Sequence, residues 1–163
     1  MKYMNVLLIL FVSLLSCNTE TPTEFSKEAL VDTFLSLDET PITFEDILAT
    51  YKGKTLVIDV WASWCGDCLR GMPKVKALQE DNSDVTYVFL SLDKSVDSWK
   101  RGIEKYNVVG EHYYMQSGWK GPFGEFINLD WIPRYIVVDK EGKIAMFKAV
   151  EADDERIIAA LKE

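Results

Sequence analysis

Two cysteines spaced for redox chemistry, Cys65-Gly66-Asp67-Cys68, follow directly on the apolar run Leu56-Val57-Ile58-Asp59-Val60-Trp61-Ala62. A β-rich run ending in such a pair reads as a strand that hands over to a helix. The first sulfur then sits at the helix N-terminus, where unpaired N–H groups and the helix dipole favour an anion. Such a thiolate is nucleophilic near neutral pH, and its partner can close a disulfide within one helical turn. Two other uses compete. Structural zinc needs four ligands, for which the chain offers only Cys17 and His112 besides the pair. A purely structural bridge across two residues would restrict the unfolded chain very little.

The strand itself carries a possible proton donor and acceptor. Leu56, Ile58 and Val60 fall on one side of it, and Val57, Asp59 and Trp61 on the other. A strand apolar on both faces belongs in the middle of a covered sheet, so Asp59 is expected to be buried. A buried carboxylate is costly, which raises its pKa and suits it to exchange a proton with a neighbouring thiol. The alternative is an Asp at a frayed sheet edge.

The segment Leu56 to Cys68 resembles the active-site strand and turn of thioredoxin, and its context resembles the TlpA/ResA-type thioredoxin-like proteins of bacterial envelopes. Gly71-Met72-Pro73 is similar to the kinked active-site helix of that family. Ile132-Pro133 before Arg134-Tyr135-Ile136-Val137-Val138-Asp139 resembles its cis-proline loop and following strand, and Asp139-Lys140-Glu141-Gly142-Lys143 its next hairpin turn. The resemblance spans residues 34–163. It implies an α/β thioredoxin fold, a central mixed β-sheet flanked by α-helices, and a thiol-disulfide oxidoreductase that reduces envelope proteins without cofactor or metal.

Under that resemblance Cys65 attacks a substrate disulfide, and Cys68, helped by Asp59, resolves the mixed disulfide. Trp64 forms an exposed apolar docking surface. Ile132 and Pro133 present backbone to the substrate chain, given a cis bond between them. Gly66 and Asp67 occupy the positions that tune the redox potential, and a membrane electron donor must restore the dithiol. Asp67 replaces the family's common proline, so the family's potential does not carry over, and residues 107–131 match poorly. The same cysteines could instead serve an oxidase or isomerase, or hold Cu(I) in a copper chaperone with Met72 nearby.

The 163 residues suit one domain, with 48% hydrophobic and 27% charged residues. A net charge of -8 argues against nucleic acid or an anionic membrane surface as partner. Lys2 and the apolar stretch Val6 to Leu15 make residues 1–16 a signal peptide, too short to span a bilayer. Leu14-Leu15-Ser16-Cys17 resembles a bacterial lipobox, which implies a lipidated Cys17 and a membrane-anchored protein facing the periplasm. The polar stretch after it makes residues 17–25 a tether to a domain over 26–163. A lipidated Cys17 would leave Cys65 and Cys68 as the only thiols.

Local signals place the remaining elements. A short helix should lead into an extended Thr33 to Leu37, with a turn at Glu39-Thr40-Pro41. Thr43 should cap a helix ending before Gly53. Further helices are expected over Cys65 to Glu80, over Asp97 to Tyr106 with a cap near Ser95, and over Asp153 to Lys162 with Ile157, Ile158 and Leu161 inward. Val85 to Leu92 reads as a central strand, and Tyr135 to Val138 with Ile144 to Phe147 as a hairpin. Met72 and Met115 read as packing, and His112 as an exposed or core-edge imidazole rather than a ligand.

Overall fold

The computed structural model describes residues 21–162, so the signal segment, Cys17 and the first part of the tether lie outside the described residues. The elements run α1 (Lys27–Leu30), β1 (Thr33–Leu35), β2 (Pro41–Thr43), α2 (Phe44–Thr50), β3 (Leu56–Trp61), α3 (Gly66–Asp81), β4 (Thr86–Ser91), α4 (Val96–Tyr106), β5 (Glu111–Tyr114), α5 (Pro122–Phe126), β6 (Arg134–Val138), β7 (Ile144–Ala149) and α6 (Glu155–Ala160). Seven strands form one mixed sheet in the order β2-β1-β5-β4-β3-β6-β7. β3 pairs parallel with β4 and antiparallel with β6. All six of its residues are buried, as expected of a strand apolar on both faces.

Caps fix the helices where the sequence marks them. Thr43 accepts the Asp46 N–H at the start of α2, and Ser95 and Ser98 form a reciprocal capping box on α4. Five phenylalanines, Phe25, Phe34, Phe44, Phe123 and Phe126, pack edge and face into one cluster that joins the N-terminal elements to α5. Phe25, expected in the tether, is therefore part of the core, and the Thr23 carbonyl accepts the Ile144 N–H at 2.8 Å. The chain is docked on the sheet before the expected domain start.

Residues 107–131 hold three unanticipated elements, the strand β5, a short 3-10 turn over Gly118–Lys120, and α5. β5 is the short polar segment Glu-His-Tyr-Tyr, held by non-local pairing to β4 and β1 rather than by a local pattern. His112 is consequently buried, its ring stacked on Phe89 and its Nε2 3.0 Å from the Val108 carbonyl, and burial pushes its pKa down. α5 is anchored by buried Asp32, which accepts the Phe123 N–H and the Ser117 hydroxyl. β2 starts at Pro41, within the stretch expected as a turn. In α6 Ile157 points inward, but Ile158 is 37% exposed because the helix presents a single apolar line to the sheet.

Candidate active site

Cys65 caps α3, and its sulfur lies 3.0 Å from the Cys68 N–H. The two cysteines are joined as a disulfide, with Cα atoms 5.3 Å apart. Cys68 is 1% exposed against 6% for Cys65, so Cys65 is the less deeply buried residue of the two. Its Sγ also sits 3.6 Å from the carbonyl oxygen of Ile132, which precedes a cis peptide bond to Pro133. Trp64 and Trp131 are 50% and 58% exposed on the segments that carry Cys65 and Ile132. Apolar surface of this kind, beside a reactive sulfur, can hold a polypeptide.

The turn before Cys65 is held from two sides. Asp93, two residues after β4, accepts the Ser63 N–H at 3.0 Å and the Ser63 hydroxyl at 2.6 Å, and also the Ser91 hydroxyl. From α4, Gly102 approaches so closely that a Cβ there would lie 2.4 Å from the Ser63 Cβ. On the other flank, Arg134 is 1% exposed and donates to the Ile127 and Asn128 carbonyls and to Asp130, tying the 127–130 loop to the start of β6. None of these three anchors stood out in the sequence. Asp93 carried the one available signal, a carboxylate closing an apolar strand run.

Asp59 lies in the core as expected, 2% exposed, with no ordinary hydrogen-bond partner for either carboxylate oxygen. Desolvation pushes its pKa up to about 8, and the neighbouring Tyr135 hydroxyl offsets part of the rise. Asp59 and Tyr135 are directly opposed across the β3–β6 pair and so share a sheet face. That face lies under α3, because a Cβ on Gly71 would be 3.7 Å from the Tyr135 hydroxyl. Gly71 follows Cys68 by one helical turn, which brings the buried carboxyl beneath the start of the active-site helix.

Asp67 and Arg70, one turn apart on α3, form an ion pair at the surface. Gly66 lies at the first helical position, and Met72 is partly buried at the edge of the core, as Met115 is fully within it. Among the described residues no group of three or more His, Cys, Asp or Glu side chains is arranged to hold a metal ion, and no helix is long and apolar enough to cross a membrane.

The Redoxin family profile matches residues 24–161, nearly the whole described chain. The chain belongs to the Redoxin family. Among solved structures, a candidate thiol-disulfide oxidoreductase from Bacteroides vulgatus is 29% identical, with a TM-score of 0.66 over 80% of this chain and 83% of that one. A secreted disulfide oxidoreductase of Mycobacterium tuberculosis, 19% identical, shares the fold with a TM-score of 0.61 over 84% of this chain and 98% of its own. Thioredoxin of Echinococcus granulosus is 41% identical over 62 residues, which are 37% of this chain and 54% of that protein. This Redoxin chain, with its Cys65–Cys68 disulfide at the mouth of a thioredoxin-like sheet, is a thiol-disulfide oxidoreductase.

Proposed function

We propose that this Redoxin protein is a reductase of disulfides in proteins of the bacterial envelope. The observation that supports the direction is Asp67, a carboxylate in the first turn of α3. Its negative charge, partly offset by Arg70, disfavours a second anion on Cys65, so the reduced, thiolate-bearing state gains less than it would beside a neutral residue. The disulfide is then the favoured state, and the dithiol gives up electrons readily.

In each cycle the Cys65 thiolate attacks one sulfur of a substrate disulfide. A Cys65–substrate bond forms, the substrate S–S bond breaks, and the departing sulfur is protonated. The Ile132 carbonyl beside Cys65 can accept an N–H of the substrate chain, and Trp64 can cover its apolar side chains. Cys68 passes its proton to the Asp59 carboxylate and attacks Cys65 Sγ. The substrate leaves with two thiols, and the Cys65–Cys68 disulfide observed here results. Two electrons have moved from protein to substrate, and an upstream dithiol donor at the membrane must return them.

The signal segment and the lipobox-like Leu14 to Cys17 support attachment to a membrane through lipid on Cys17, with the domain in the periplasm. Metabolic fatty-acid labelling tests this, with label on the wild type and none on Cys17→Ser; label retained in the variant would overturn the anchor.

Redox equilibration against thiol buffers tests the direction. The expected potential is nearer the about -270 mV of thioredoxin than the about -120 mV of strongly oxidising dithiol proteins. A value near the latter would make the protein an oxidase. Cys68→Ser is expected to accumulate reductant-sensitive mixed disulfides through Cys65 in cells. A folded variant without them, in a protein that retains Cu(I), would favour metal handling instead.

A further inference from the structure

The mechanism above leaves Asp59 with a proton and no evident way to lose it. The carboxyl is 2% exposed, and neither oxygen has a hydrogen-bond partner of ordinary geometry. A base that must be regenerated in every cycle needs a path to water. One polar side chain bridges the gap. Tyr135 opposes Asp59 across the β3–β6 pair, so that the two side chains share one sheet face, and is itself 1% exposed. It nevertheless lines a pocket of about 360 Å³ that opens between α3, Pro133 and the segment after β7. The gap in α3 through which its hydroxyl is reached is Gly71, the residue whose missing side chain leaves that face uncovered.

We propose that Tyr135 is a proton relay between Asp59 and the solvent pocket. The proposal rests on the thiol-exchange reading of Asp59. In the resolving step Cys68 loses one proton to Asp59. The Asp59 carboxyl then passes a proton to the Tyr135 oxygen as the phenol O–H gives its own to water, so one proton enters and one leaves. No net charge stays on the phenol, whose own ionisation is opposed by burial and by the charges of Asp59, Glu151 and Asp153. The charged groups facing the pocket are Asp67, Arg70 and Lys74 from α3, and Glu151, with Asp153 beside it, from the segment after β7. Lys74 is bonded to both Glu151 and Asp153, at 2.8 and 3.0 Å, so this rim stays hydrated and polar.

The test follows the reduced protein reacting with 5,5'-dithiobis(2-nitrobenzoate) in a stopped-flow instrument. Attack by Cys65 releases a first thionitrobenzoate, and attack by Cys68 releases a second. Tyr135→Phe should leave the first phase unchanged and slow the second about tenfold, within the range of positioned proton transfer. The pH midpoint of the second phase should also move to higher pH, because the hydroxyl that favours the Asp59 anion is gone. Gly71→Leu, which covers the hydroxyl from the helix without altering Tyr135, should slow the same phase. Asp59→Asn separates the two levels of the reasoning. If it slows the second phase while Tyr135→Phe and Gly71→Leu match the wild type in rate and midpoint, the relay is wrong. An unaffected second phase in Asp59→Asn would instead remove the base itself.

Discussion

Replacing Asp59 by asparagine should change how the stability of the oxidised protein depends on pH. In the folded chain the carboxyl ionises at about 8 rather than at 3.8, because burial strips its hydration. Between those values the folded protein holds a proton that the unfolded chain has released. Stability contributed by the protonated group is therefore complete below about pH 4 and is lost as pH rises towards about 8, at about 1.4 kcal/mol per pH unit. Over the whole window the loss is at most about 6 kcal/mol, a large share of the about 5–15 kcal/mol typical of a domain. The asparagine variant lacks the slope. Its buried amide carries its own cost, but that cost does not vary with pH. The stability of the variant relative to wild type should accordingly rise by up to about 1.4 kcal/mol per unit across the window and level off above about pH 8. Urea unfolding of the oxidised proteins, with free thiols blocked, measures the difference at each pH. A difference that stays constant from about pH 5 to about pH 8 would refute the assignment of this titration to Asp59.

Three other substitutions probe how the dithiol is held and tuned. Gly102→Ala puts a methyl group into the 2.4 Å gap against Ser63 and should destabilise the oxidised protein by about 1–3 kcal/mol, with slower attack by Cys65, in urea unfolding and stopped-flow assays. Wild-type values in both would mean that α4 does not clamp the turn. Asp67→Asn removes a negative charge from the turn that carries Cys65 and should make the potential less negative. Because Arg70 already pairs with Asp67 at the surface, where such pairs are worth about 0–1 kcal/mol, the shift should stay below about 30 mV. Arg70→Gln should move it the opposite way, and equal shifts of the same sign would show that charge in this turn does not set the potential.

The parts of the site that were legible in the sequence are those encoded locally. The spacing of Cys65 and Cys68, the two-faced apolar strand around Asp59, and the caps at Thr43 and Ser95 each act within a few residues of themselves, and each lies in the structure where the pattern placed it. Ile132-Pro133 was found by resemblance, and Trp64 is exposed as that resemblance implied. What escaped is non-local. β5 gains its strand character from β4 and β1 on either side. Phe25 joins the core through aromatic partners, Phe123 and Phe126, about a hundred residues further along the chain, and nothing in its polar neighbourhood announces this. Tyr135 reads like any aromatic in a strand, and only the antiparallel register sets it opposite Asp59.

The buried polar side chains differ in whether their hydrogen bonds are satisfied. Asp32 and Asp93 are as buried as many apolar residues, yet each accepts several protein N–H or O–H donors and thereby fixes a helix start or a turn. Arg134 leaves one nitrogen without a partner but spends the others on two carbonyls and a carboxylate. His112 likewise keeps one ring nitrogen bonded and, with its pKa lowered, stays neutral. The unpartnered Trp61 and Trp99 indoles carry no charge to desolvate. Among the described residues Asp59 alone is an ionisable group whose polar side-chain atoms are all buried without an ordinary hydrogen bond. A fold selected for stability alone would replace or pair such a group, because an unpaired buried polar group costs about 1–3 kcal/mol and a charged one more. In the proposed mechanism its place beneath the Cys65–Cys68 disulfide supplies a carboxyl whose raised pKa lies near neutral pH and which bulk water does not reach.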